Sequence, residues 1–225
     1  PTALSTGSDG HPKTGGFLPP VPLPRRMWAA GKFALGAPLV LGTQAEKHSV
    51  VRGVDIKNGS TGQLVFVTIE HSITQNGLSC IEEEQTIVYR EMPAGRSPLP
   101  AENPASEECD WSIAVRPDPV LLFRFSALTY NAHRIHYDRH YAVEEEHYPA
   151  LVVHSPLQAI LLANSVQEKL GCSMSDFKFR AQRPLFDIDT FDLCGKREGD
   201  TVNLWTRSHD GFIATTAVAT LTDGD

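Results

Sequence analysis

The sequence predicts an α+β fold in which antiparallel strands wrap around one buried helix, and three observations carry it. "KHSVVRGVDIK", "GQLVFVTIEHSI" and "LSCIEEEQTIVYRE" are strand-like runs separated by the turn residues "NGSTG" and "TQNG", which makes an antiparallel meander. "SPLQAILLANSVQEKLG" reads as one long helix. Four further strand-like runs follow it: "MSDFKFRAQRPL", "DIDTFDLCGKRE", "TVNLWTRS" and "FIATTAVATL".

Taken in order, residues 1–24 are rich in Gly, Pro, Ser and Thr and read as a flexible arm. "RRMWAAGKF" is a short helical or extended entry into the first meander, so a first half spans 25–92. It shows no helix of its own, and such a helix is expected upstream, since the chain opens on Pro1 rather than methionine. "MPAGRSPLPAENPASEE" holds five prolines or glycines in a polar setting and reads as a linker over 93–109. The second half is 110–225. "DPVLLFRFSALTY" reads as a strand from its apolar run. The long helix has Ser155 as N-cap, Pro156 at the favoured first position and Gly171 as its stop. Leu157, Ile160, Leu161, Ala163 and Val166 cover more than one stripe, so the helix should be buried.

Composition excludes several classes. A net charge of −7 and the lack of a basic stripe argue against nucleic acid. The triplets Glu82–Glu84 and Glu144–Glu146 read as solvated faces. Cys80, Cys109, Cys172 and Cys194 are scattered without zinc spacing, which fits a reducing cytoplasm. No apolar run approaches the ~18–20 residues of a membrane span, and no signal peptide is visible.

The stretch "YNAHRIHYDRHYAVEEEHYPALVVHSP" carries five of the nine histidines. His133, His136 and His140 have H-x2-H-x3-H spacing, but helical zinc motifs put two His at i and i+4, and Arg134 and Arg139 would crowd a dication. No metal is expected. His140 and His147, among charged neighbours, suit a solvated surface. His133 and His136 sit where a cleft can form and suit acid–base work, because neutral imidazole exchanges protons near pH 7. The helix start at Ser155 offers unpaired N–H groups and a positive dipole end; Ser155, Leu157 and Gln158 are the candidate donors to an oxyanion.

"FSALTYNAHRIHYDRHYA" followed by "YPALVVHSPLQAILL" resembles the hydratase motif of MaoC-like hot-dog hydratases and dehydratases, and "GGFLPPVPLPRRMWAAGKF" resembles the branch of mesaconyl-C4-CoA hydratases and mitochondrial type 2 hydroxyacyl-thioester dehydratases. The resemblance runs from about Gly15 to the C-terminus. It implies a double hot-dog, two half-domains that each curve an antiparallel sheet around a helix, with the first half incomplete and shaping an acyl tunnel. It also implies a hydro-lyase that reversibly adds water to an α,β-unsaturated acyl-CoA, such as one of the mesaconyl-C4-CoA kind, without a cofactor. Alternatives are a 3-hydroxyacyl-thioester dehydratase acting on CoA or acyl-carrier-protein thioesters and a non-catalytic acyl-CoA-binding protein. The family pattern of Asp, then Asn, then His falls on Asn131, His133 and His136, so only the base His136 matches; Asn131 and His133 are left to position water or supply the second proton. Ser155 stands at a family glycine and keeps its N–H. A carboxylate on the substrate would need a cation, for which Arg25, Arg26 and Arg134 are candidates. A homodimer is expected.

Overall fold

The computed structural model describes residues 5–59, 62–96, 99 and 103–222. Four strands come first: β1 Arg25–Leu35, β2 Glu46–Gly59, β3 Gly62–Gln75 and β4 Leu78–Arg90. β3 buries Val65, Val67, Ile69 and His71 on one face, the alternation a half-covered strand must show. The β3–β4 hairpin closes through Asn76 and Gly77 at φ of 53° and 76°, the paired positive values that a two-residue hairpin turn needs. The tip between β2 and β3 falls on residues 60–61, outside the described residues, as do 97–98 and 100–102 of the expected linker.

The second half runs β5 Trp111–Val115, α1 Pro119–Thr129, a 3-10 turn Arg134–His136, a π-helical turn Tyr141–Glu145, α2 Ser155–Leu170, then β6 Met174–Ala181, β7 Phe191–Glu198, β8 Thr201–Ser208 and β9 Ile213–Leu221. The nine strands form one sheet in the order β2-β3-β4-β1-β6-β9-β8-β7-β5, and every pair is antiparallel. The halves are joined where β1 pairs with β6, from Ala30 opposite Arg180 to Ala34 opposite Asp176.

α2 packs on β6, β7, β8 and β9 of the second half and on β1. Its buried side is Leu157, Ala159, Leu162 and Val166, together with Gln158 and Ser165. The two polar side chains are satisfied: Gln158 Oε1 accepts from Thr206 and Thr215 at 3.0 and 2.8 Å, and Ser165 Oγ accepts from Trp111 Nε1 at 3.3 Å. Ile160, expected in the core, is 47% exposed. Gly171 at φ 68° ends the helix as expected. The N-cap is His154 rather than Ser155, and no side chain caps the helix start.

The segment read as a strand at "DPVLLFRFSALTY" is instead α1. Asp118 accepts the N–H of Leu121 at 2.7 Å and Pro119 fills the first turn, while Tyr130 ends the helix at φ 55°. A continuous apolar run has no period to separate helix from strand, and only Leu122 and Ser126 of this helix are buried.

Among the described residues the first half has no helix of its own. Its small core, Val65, Val67, Ile69 and Tyr89, is met by Leu18, Val21 and Leu23 of the arm. Gly10 of the same arm, at φ 89°, passes so close to Ala132 that a Cβ would stand 2.0 Å from its carbonyl oxygen. No described helix is long and apolar enough to cross a membrane.

Candidate active site

The turn that follows α1 sets the site. Asn131 Oδ1 accepts the N–H of His133 at 3.1 Å, and the chain then tightens into the 3-10 turn that ends at His136. This points His133 and His136 inward, 4% and 7% exposed, and leaves His140 on the surface. Asn131 therefore braces the turn through its side-chain oxygen.

His136 Nδ1 lies 2.7 Å from the carbonyl of Val152, which accepts only if Nδ1 carries the proton. The lone pair is then on Nε2, which has no protein partner among the described residues. The ring stacks on His154 with 3.6 Å between centroids, and His133 stands edge-on at 5.5 Å. Burial, with the neighbouring His154 and His133, holds His136 well below the usual imidazole range. His154, fully buried, meets Ser126 Oγ through Nε2 at 2.9 Å and is pushed down to about 3, first by burial and then by His133. Both rings are neutral at pH 7, which leaves His136 with an open lone pair that can accept a proton.

His154 is also the residue that starts α2, which sets His136 one stacked ring from the helix N-terminus. The N–H groups of Ser155 and Leu157 find no acceptor among the described residues. Gln158, the third expected donor, spends its N–H on the carbonyl of His154. Pro156 has none. Two free donors at the positive end of a 16-residue helix can hold a developing oxyanion.

The three arginines lie around this centre, and each has a carboxylate partner. Arg25 Nε reaches Glu146 Oε2 at 2.7 Å, and its guanidinium lies over the Tyr148 ring. Arg26 pairs with Asp9 at 3.0 Å and donates to the carbonyl of Pro12. Arg134 pairs with Asp138 at 2.8 Å, lies over Tyr141 and donates to the carbonyl of Ser8.

Sequence reasoning passed over four participants. Glu146, read as part of a solvated triplet, is 2% exposed while Glu144 and Glu145 face solvent. Its Oε1 stands 3.5 Å from His133 Nε2. Burial acts to raise this carboxyl, but His133 and the Arg25 guanidinium outweigh it and hold it below the ordinary carboxylate value. Asp9 and His11 come from the arm; His11 sits 4.6 Å from His133 ring to ring, and burial, then His133, pushes it down to about 3. His154 was visible only as one more histidine. The local signal for Glu146 was the aromatic and apolar company of Tyr148, Ala150 and Leu151 just after the triplet. Among the described residues no group of three or more His, Cys, Asp or Glu is arranged to hold a metal ion.

The chain matches the family model described as hydroxyacyl-thioester dehydratase type 2 over residues 1–187. It is 47% identical over 215 residues to a mesaconyl-C(4)-CoA hydratase of Chloroflexus aurantiacus, covering 95% of this chain and 76% of that protein. It is 29% identical over 211 residues to the mitochondrial hydroxyacyl-thioester dehydratase type 2 of Schizosaccharomyces pombe, covering 83% of this chain and 68% of that one. Among solved structures, a MaoC-like dehydratase from Phytophthora capsici superposes with a TM-score of 0.69 at 13% identity, over 95% of this chain and 78% of that one, which shows the shared hot-dog architecture.

Proposed function

The chain belongs to the hydroxyacyl-thioester dehydratase type 2 family, and from that membership we propose that it is a hydro-lyase adding water reversibly to a branched, dicarboxylic enoyl-CoA of the mesaconyl-C4-CoA type. The observation that carries the reading is the placement of His136: Nδ1–H tied to Val152, Nε2 free, and the bare N–H groups of Ser155 and Leu157 one ring away.

In this reading the substrate's thioester oxygen lies against Ser155 and Leu157 and its β-carbon faces His136. Water gives a proton to Nε2 as its oxygen bonds the β-carbon, and the π electrons move onto the thioester oxygen. The enolate then collapses as the α-carbon takes a proton from a second proton donor in the site. His136 returns its own proton to solvent, from which that donor is recharged, so that one water has been added. Thioester conjugation already activates the alkene, so the step calls for no metal or redox cofactor. Arg134, the most accessible of the three arginines, is our choice for the substrate's free carboxylate, which would have to draw it from Asp138. The 3-hydroxyacyl-thioester dehydratase reading uses the same atoms in reverse and is favoured by the match to the fission-yeast protein. A homodimer and a cytoplasmic setting complete the proposal; the thiols of Cys80, Cys109, Cys172 and Cys194 are all unbridged.

A panel of crotonyl-, mesaconyl-C4-, itaconyl- and long-chain enoyl-CoA tests it, read by loss of the conjugated thioester absorbance. Mesaconyl-C4-CoA should give the highest kcat/KM. A clear preference for unbranched long chains overturns the substrate, and stoichiometric binding without turnover across the panel overturns the enzyme.

A further inference from the structure

Glu146 is the buried carboxylate that stands against His133, and hydration as set out above leaves it without a task. It closes the π-helical turn Tyr141–Glu145, and this irregular turn is what carries its side chain inward while Glu144 and Glu145 stay out. One oxygen is fastened to Arg25 of β1. The other, Oε1, stands 3.5 Å from His133 Nε2, and among the described residues neither buried atom has another partner. Burying a charged carboxylate with one unspent oxygen is costly, and an imidazole N–H is the one group placed to take it up. Catalytic hydrogen bonds are often long before substrate arrives and tighten in its complex.

We propose that Glu146 is a positioning residue for the hydration: it holds the Nε2–H of His133 and thereby leaves Nδ1 of that ring as the proton donor to the substrate's α-carbon. The proposal rests on the hydro-lyase reading above. It places in this chain a carboxylate for the acid–base pair, where the motif position itself holds Asn131. The balance is complete. A water O–H breaks toward His136 Nε2, the new C–O bond forms at the β-carbon, and the electron pair passes through the thioester oxygen to the α-carbon. That carbon takes the Nδ1 proton of doubly protonated His133, whose charge the Glu146 carboxylate compensates. His136 then returns its proton to solvent and His133 regains one, so one water has been added. The charged and titratable groups facing His133 are Glu146 with Arg25 behind it, His11 with Asp9 and Arg26 behind it, and His136 with His154 beyond.

The test uses the full chain with Glu146→Gln, assayed for hydration of mesaconyl-C4-CoA across pH. The expected result is a loss of about tenfold or more in kcat with KM within threefold. The pH profile of kcat should change, because the carboxylate that faces His133 Nε2 is gone. The double variant with His133→Asn should be no slower than His133→Asn alone by more than about threefold, since the two act as a unit. Wild-type kcat with an unmoved pH profile overturns the proposal, and so do losses that multiply in the double variant. Should Glu146→Gln fail to fold, Glu146→Asp keeps the charge against Arg25 but withdraws the carboxylate by one methylene; full activity there is equally fatal. Ring-nitrogen NMR of the unmodified protein gives a check without mutation: a neutral His133 protonated on Nδ1 contradicts the proposed hydrogen bond. His136→Ala run in parallel separates the two readings. An active His136→Ala removes the hydro-lyase mechanism itself, whereas an inactive one beside a fully active Glu146→Gln removes only the role of Glu146.

Discussion

At His136 two contacts fix the ring and, in the proposed mechanism, leave one nitrogen for chemistry. The Val152 carbonyl fixes Nδ1–H and so the tautomer, and stacking on His154 fixes the plane. Removing the ring should cut hydration by ~10²–10⁴, the usual range for a positioned acid–base group. It should also cost stability, about 1–3 kcal/mol, because the buried Val152 carbonyl loses its donor. Steady-state rates and a denaturant midpoint on His136→Ala check both. The exposed His140 is the contrast: His140→Ala should keep the rate within about threefold. The arginines carry a second lesson at this scale. Each was legible as a cation, but a sequence does not show that Arg25, Arg26 and Arg134 are spoken for by Glu146, Asp9 and Asp138.

The element that matters most is α2, which is core on one side and a donor at one end. These roles can be separated. Proline is well tolerated at the first helical position, where its missing N–H has no intrahelical acceptor, and His154 already has the extended backbone (φ −58°, ψ 133°) that a following proline prefers. Ser155→Pro should therefore leave helix content and melting temperature nearly unchanged while lowering kcat by ~10²–10³, the cost of one oxyanion donor. Circular dichroism beside kinetics reads both; a full-rate Ser155→Pro removes Ser155 from the mechanism. α1 contributes from the other side, since Phe125 and Ser126 contact His154 edge-on and through a hydrogen bond. Its conversion from expected strand to helix is thus more than a matter of labels, because only the helix brings residue 126 to residue 154.

For the whole molecule the buried imidazoles set a pH dependence. His11 and His154 are pushed down to about 3 and His136 is lowered well below 6.5. Above pH 6.5 these rings are neutral both folded and unfolded, so they add no slope. Below it the unfolded chain binds protons that the folded chain refuses, and stability falls as pH falls, by up to ~1.4 kcal/mol per pH unit for each ring. For His11 and His154 the loss continues to about pH 3. Urea midpoints between pH 8 and 4 should be flat above ~6.5 and decline below it; a midpoint independent of pH over that range contradicts the buried, neutral cluster. Activity should survive to lower pH than an ordinary imidazole base allows, until acid unfolding ends it.

What the sequence determined by itself was whatever repeats along the chain. Period-two runs gave the strands of both meanders, Asn76-Gly77 gave a hairpin, and Pro156 and Gly171 framed α2. His133, His136 and the Ser155 helix start could be picked out as candidates because they lie within 23 residues of one another, with recognisable chemistry. The tertiary structure alone decided which charges are buried and which neighbours they have. Glu146 looks like Glu144 and Glu145 until a π-helical turn rotates it inward, and Arg25 meets it across 121 positions because β1 crosses to join the second half. Asp9 and His11 reach the site on an arm with no period to read, held where only Gly10 can pass Ala132. Burial and long-range pairing depend on how separate segments close on each other, and a local pattern such as the apolar company after Glu146 carries only a trace of that.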